Sequence, residues 1–288
     1  MSNRNEERLG APPDHEEELY EEEPQRDSSE LSFVVPTDFV TLPSRGVFYP
    51  PSHPLHNQKT IEIKYMTAKE EDILTSRTLV EKGIVLDRLV QNIVVNRKIK
   101  VEDLLVSDKS AILINARKNG YGADYSTTLE CMECSAPATS VYDLDEVSIK
   151  EEITVDVLQN KNITPTDRGT FLITTPVSGV EVEIRLLTGR DEHNMMKRSE
   201  SNRKKGSEDH FITDQLRTMV VSINEHNDKN LIKQFVESLT LRDTKALREA
   251  YETVAPDINM RKEFVCSNCG YEDDINFPVT TDFFWPQQ

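Results

Sequence analysis

Four cysteines in 288 residues fall into two C-x-x-C pairs with none left over: "CMEC" at Cys131 and Cys134, and "CSNC" at Cys266 and Cys269. Two thiolates at this spacing fit one knuckle turn with both sulfurs facing a single point. Two knuckles then supply the tetrahedral all-thiolate shell that Zn2+ accepts, with Zn–S about 2.3 Å. Strand-forming residues flank each pair, in "STTLE-CMEC-SAPATSVYDL" and "KEFV-CSNC-GYEDDINF", so each reads as a hairpin with its cysteines at the tip. Gly270 follows the second pair, where a tight turn needs positive φ. The 131 residues between Cys134 and Cys266 far exceed the roughly 15–20 of a contiguous ribbon. The ribbon is therefore split, with a βα subdomain inserted between its halves and one structural zinc expected per chain. Structural zinc contributes roughly 10–16 kcal/mol of apparent binding energy in finger peptides, enough to staple such distant segments. Two separate redox pairs fit less well, because neither lies on the strand-to-helix turn of a thioredoxin-like unit. A catalytic zinc fits worse still, because four thiolates leave no position open for water. The six histidines add no ligands: His15 sits among acids, His53 and His56 in a proline-rich loop, and His193, His210 and His226 are scattered over helices and their ends.

Four cysteines in a chain this long do not make a disulfide scaffold. No apolar run reaches about 18 residues, so nothing is expected to span a membrane. "MSNRNEERLG" has no apolar h-region and reads as no secretory signal, which points to a reducing cytoplasm. The formal net charge is −17, whereas a general nucleic-acid binder spreads positive charge over a face. The acidity peaks in residues 1–30, where eleven Asp and Glu face three Arg. With almost nothing apolar to bury, this stretch is expected to be a disordered acidic tail. It either solvates the protein or docks on a basic partner, with Leu19 and Tyr20 as its anchors.

The expected fold is α+β: a helical bundle plus a strand-rich region, with the split four-cysteine zinc ribbon and the inserted βα subdomain. Residues 31–123 form an N-terminal strand and helical domain. In it, "IEIKYM" alternates as a half-buried strand, and "LPSRGVFYP" either clamps the core or binds a neighbouring subunit. Thr67 and Glu70 make a capping box, and Gly83 is a C-cap. Ile84, Leu86, Leu89, Val90, Ile93 and Val94 form an apolar helix face. Ser107 is expected to cap the next helix, Gly120 to end it, and Ile112 and Leu113 to be core. Residues 124–150 plus 258–288 are the split ribbon with an aromatic tail. Residues 151–257 are the insert: strands at "ITVDVL", "FLITT" and "VEVEIRLLT", then helices from Thr188 to about Ala255, broken at "SNRKKGSED".

The tail "NFPVTTDFFWPQQ" carries Phe277, Phe283, Phe284 and the only tryptophan, Trp285. Leaving such a cluster in water costs about 25 cal/mol per Å² of apolar area. It either folds back onto the protein or fills a partner's pocket, which makes Phe283, Phe284 and Trp285 the candidate partner-binding residues. Glu133, Glu272, Asp273 and Asp274 on the knuckles repel phosphate. The basic group Lys197, Arg198, Arg203, Lys204 and Lys205 is either a solvated helix end or a site for an acidic partner. No phosphate loop, dinucleotide fingerprint, HExxH or nucleophile elbow is present, so nothing reads as an enzyme.

In their order along the chain, "LPSRGVFYP", "IEIKYMTAKEEDIL" and "KGIVLDRLVQNIV" resemble the first half of tail baseplate hub and hub-assembly proteins of T-even-type contractile-tailed bacteriophages. The split C-x-x-C pairs and the closing "FVCSNCG…FPV…FFWP" resemble the second half, so the likeness covers residues 31–288. It implies a non-enzymatic structural protein or assembly chaperone of the hub, acting by protein–protein contacts. The partners implied are other tail and baseplate hub proteins, with the tape measure as a candidate. The places implied are the host cytoplasm during assembly and the virion tail baseplate. Of the site residues, only Cys131, Cys134, Cys266 and Cys269 carry over. The rival reading is a zinc-ribbon accessory factor of transcription or replication associated with nucleic acid.

Overall fold

In a computed structural model, residues 34–151, 153–208, 210–276, 279 and 281–284 are described. The expected acidic tail, with Leu19 and Tyr20, lies outside them, as do Phe277 and Trp285. The fold is mixed α+β, with nine α-helices and several small antiparallel sheets among the described residues.

Strands β1 (Thr37–Thr41) and β2 (Thr60–Lys64) pair antiparallel, Phe39 opposite Glu62. The loop between them carries "LPSRGVFYP", and it packs inward: Leu42, Ser44, Tyr49 and Leu55 are buried. Its anchor is Asp108, fully buried in the first turn of helix α4 (Val106–Tyr121). The Asp108 carboxylate accepts from the Ser44 amide (3.0 Å), the Ser44 hydroxyl (2.5 Å) and the Tyr49 hydroxyl (2.7 Å). Tyr49 Oη in turn accepts from the Leu105 amide at 3.0 Å. Three donors and the helix N-terminus satisfy a group that would be costly to bury alone. Gly46 holds the turn with φ +75°, where a Cβ would lie 2.3 Å from the Leu55 carbonyl oxygen. Only glycine combines that φ with that close approach.

Helix α1 (Ala68–Thr75) begins with the expected Thr67–Glu70 capping box. The helical run does not continue to Gly83 unbroken. Ser76 turns extended (φ −69°, ψ 102°) and splits off α2 (Arg77–Glu81), and Gly83 (φ +65°) then turns the chain into α3 (Val85–Ile93). Val85, Leu89, Val90 and Ile93 form the buried face of α3. Helix α4 differs from expectation at both ends. It starts at Val106 with Leu105 as its N-cap, not at Ser107: the Lys109 amide, which a Ser107 side chain would have capped, donates to the Leu105 carbonyl at 3.0 Å, and the Val106 amide is held by the Leu187 carbonyl at 3.2 Å. Gly120 lies inside the helix, where its missing Cβ leaves room for Met66 Cε, 2.3 Å from where a Cβ would stand; the helix closes two residues later at Gly122, φ +87°. Ile112 and Leu113 are core as expected.

Next come the hairpin β3 (Asp124–Glu130) and β4 (Pro137–Asp143), then β5 (Ser148–Ile149). "ITVDVL" is not a strand: Val155–Asn160 is a short helix, α5. Thr154 takes the extended N-cap conformation and Asp156 falls in the first turn, start signals that outweigh the β-branched valines. Strands β6 (Ile163–Pro165), β7 (Thr170–Thr174), β8 (Glu181–Arg185) and β9 (Val220–Ile223) make one antiparallel sheet in that order. Strand β9 interrupts the stretch expected to be helical, because the open edge of β8 takes it up, Val182 opposite Ile223. Glu183 is buried in β8, where the Thr170 hydroxyl (2.5 Å), the Ser222 hydroxyl (2.9 Å) and Arg168 (3.0 Å) satisfy it.

Four helices frame this sheet in sequence: α6 (Gly189–Lys205), α7 (Phe211–Met219), α8 (Lys229–Ser238) and α9 (Leu241–Val254). The basic group runs along the second half of α6, from Lys197 at its middle to the last turn, where Lys204 pairs with Glu200 at 2.7 Å and Gly206 provides a left-handed C-cap. The chain then enters β10 (Ile258–Asn259), which pairs with β5, and continues into β11 (Arg261–Val265) and β12 (Glu272–Asn276). The stretch after β5 thus leaves and returns through one antiparallel pair, Ile149 opposite Ile258. Lys150 closes that doorway by donating to the Glu252, Thr253 and Ala255 carbonyls at the end of α9. The main buried apolar set is continuous from Val40 to Phe284.

The start of α6 makes a pH prediction. Asp191 accepts from both guanidinium nitrogens of Arg185 (2.7 and 2.8 Å) and from the Thr188 amide and hydroxyl. Burial opposes its ionisation, but the Arg185 fork and the Thr188 donors overcome this and hold its pKa below the ordinary carboxylate value. A depressed folded pKa contributes stability that is complete above the unfolded carboxyl pKa of about 4 and is lost as pH falls through the folded value. We expect Asp191→Asn to cost about 1–3 kcal/mol at pH 7. The deficit should shrink as acid titrates the wild type, which urea melts at pH 7 and pH 3 will measure.

Candidate metal centre

The two hairpins β3–β4 and β11–β12 are separate two-stranded sheets, with no backbone ladder between them. Such hairpins are marginal alone in water. What joins them is a satellite core of Cys131, Ala138, Phe264 and Cys266, apart from the main one. Four cysteines, far apart in sequence, meet there. Their four Sγ atoms all lie within 4.8 Å of one another.

Both knuckles have the same backbone. In the first, the Cys131 amide donates to the Ala136 carbonyl (3.0 Å) and the Ser135 amide returns to the Cys131 carbonyl (2.9 Å). In the second, the Cys266 amide donates to Tyr271 (2.8 Å) and the Gly270 amide returns to Cys266 (2.9 Å). The fifth residue of each has positive φ: Ser135 at +55° and Gly270 at +72°. The glycine was legible in the sequence; that a serine meets the same demand in the other knuckle was not.

Across the knuckles, Cys131 Sγ lies 3.6 Å from Cys269 Sγ and Cys134 Sγ lies 3.7 Å from Cys266 Sγ. A disulfide would need about 2.05 Å. A tetrahedron of sulfurs 2.3 Å from a central ion has edges of about 3.8 Å. The donor set and its spacing therefore fit a tetrahedral thiolate-bound cation. Cys131 and Cys266 are buried, Cys134 half-buried and Cys269 exposed.

Local donors tune the thiols unequally. The Asn268 side-chain amide, 3.5 Å from Cys134 Sγ, is the main cause that lowers the Cys134 pKa to about 6. Backbone amides of Cys269 and Asn268 lower Cys266. At Cys269 the Tyr271 amide acts in the same direction, but the neighbouring thiols outweigh it and push the pKa up to about 12. Four sulfurs this close cannot all ionise by themselves; a bound cation inverts that balance.

Of the tail residues, Phe283 and Phe284 are completely buried on this chain. Phe283 packs against Tyr125 at 4.9 Å between ring centroids and meets Phe284 edge-on at 5.6 Å. Of the two alternatives for the tail, these two rings take fold-back: the apolar area they would expose to water is covered by their own fold. The residue that secures them, Arg117 of α4, gave no sequence signal. It is 1% exposed and donates to the carbonyls of Phe283 (3.0 Å), Gly122 (3.3 Å) and Asp124 (3.2 Å). One buried guanidinium thus ties the tail to the root of the first cysteine hairpin. Asn268 was visible inside "CSNC", but nothing in the spacing said which sulfur it would face.

No helix among the described residues is long and apolar enough to cross a membrane. No curated protein and no solved structure matches the chain. Residues 50–285 match the family described as T4 bacteriophage base plate protein. The match takes in all four cysteines, Phe283 and Phe284, and it begins at residue 50 rather than at 31, so most of "LPSRGVFYP" precedes it.

Proposed function

Because the chain belongs to the T4 bacteriophage base plate protein family, we propose that it is a non-enzymatic structural or assembly protein of the baseplate hub, held in shape by one Zn2+ on Cys131, Cys134, Cys266 and Cys269. The observation that carries this reading is the closed sulfur shell itself. Four thiolates complete a tetrahedral site and leave no place for a reacting water or substrate, so the metal serves architecture and the protein works through its surface. Zinc suits four soft thiolates better than magnesium, calcium or manganese, which prefer oxygen. The partners are other hub and tail proteins, with the tape measure as a candidate, met in the host cytoplasm during assembly. Trp285 remains a candidate partner contact of the tail.

Affinity isolation of the tagged full-length chain from infected cells tests this directly. We expect stoichiometric recovery of baseplate hub proteins and about one zinc per chain by elemental analysis. Recovery of no tail protein, together with salt-dependent binding of purified protein to DNA or RNA, would favour the nucleic-acid accessory reading instead.

A further inference from the structure

We propose that Asn268 is a positioning residue of the metal site, and that Cys269 is the ligand through which the metal exchanges. This rests on the zinc reading above. The shared knuckle backbone makes the two halves comparable position by position. Cys134 and Cys269 are equivalent, and each receives the backbone amide two residues on, from Ala136 and Tyr271 respectively. Between the cysteines, at the position two residues after the first, stand Glu133 in one knuckle and Asn268 in the other.

There the symmetry ends. Asn268 reaches across to the opposite knuckle and donates its side-chain amide to Cys134 Sγ at 3.5 Å. Glu133 offers carboxyl oxygens where Asn268 offers an amide N–H, so it brings no N–H donor to a sulfur. Among the described residues no side-chain amide reaches Cys269, and Cys269 is the one exposed cysteine of the four. A four-thiolate zinc site carries two excess negative charges, so each N–H···S contact offsets charge that the metal leaves over. Outer donors of this kind change metal affinity by about 10–100-fold. The sulfur that lacks one and faces water detaches first.

The test uses the full chain loaded with Zn2+ and challenged with a chromophoric chelator in the presence of an alkylating maleimide. Asn268→Asp keeps the shape and replaces the donor with an acceptor; it should weaken zinc about 10–100-fold. Glu133→Gln gives the first knuckle a donor and should slow zinc release severalfold. Mass spectrometry of the partly reacted wild type should find Cys269 alkylated before the other three. The cobalt-substituted variants should keep the four-thiolate charge-transfer bands, which shows that the shell itself survives. A wild-type chain that takes up no zinc overturns the zinc reading and this inference with it. Zinc uptake with Asn268→Asp unchanged in affinity, or with alkylation starting at Cys131 or Cys266, overturns this inference alone.

Discussion

Cys266→Ser is expected to abolish metal binding and to melt both cysteine hairpins while most of the helical fold persists. The size of the effect follows from how little else holds the hairpins together. Their shared core is four buried residues, two of them ligands, and they exchange no backbone ladder. Burying Phe264 contributes only about 1.5–3 kcal/mol, against roughly 10–16 kcal/mol for a structural zinc. The link at the base, β5 with β10, is two residue pairs long. Elemental analysis should fall from about one zinc to none, and hydrogen exchange should show loss of protection in residues 124–143 and 261–276 but not in α3, α4 or α9. Protein purified reduced and without chelator that carries no metal, or a variant with unchanged protection, would remove the zinc from this account.

The second large effect is expected from deleting residues 283–288. Two phenylalanines with no exposed surface leave the core, and each such loss costs about 3–5 kcal/mol. Arg117 loses its Phe283 acceptor at the same time, and an unsatisfied buried donor adds about 1–3 kcal/mol. Against a total stability of about 5–15 kcal/mol, the truncated chain should be largely unfolded or insoluble at 37 °C. Arg117→Met keeps the volume and removes only the clamp, so it should cost less, about 2–4 kcal/mol. Because Arg117 and Phe283 touch, a cycle with Phe283→Leu should show non-additive losses. Calorimetry on the truncation with an unchanged melting temperature would mean that the tail is incidental to the fold.

Legibility in the sequence followed the range of the interaction. The Thr67–Glu70 capping box, the buried face of α3 and the strands β7 and β8 each depend on residues within a turn or two, and all were readable. The ends of α4 were misjudged because distant neighbours act there: the Val106 amide pairs with the Leu187 carbonyl, Leu105 rather than Ser107 takes the N-cap position, and Met66 packs over Gly120. Strand β9 looked helical until β8 offered it an edge. In "ITVDVL" the opposite happened, where start signals at Thr154 and Asp156 prevailed over β-branched side chains that no sheet took up.

The candidate site divides in the same way. Cysteine identity, the two-residue spacing, Gly270 and the acidic flanks are local chemistry, and the sequence alone determined from them that each half is a thiolate knuckle unsuited to phosphate. Whether the halves meet, which cysteine faces water and where Asn268 points were decided only by the tertiary structure. The aromatic tail shows why. Its hydrophobicity required burial somewhere, but hydrophobic burial has no preferred direction. Only the buried guanidinium of Arg117, placed beside the Phe283 carbonyl by the folding of α4, made this chain its own acceptor for Phe283 and Phe284.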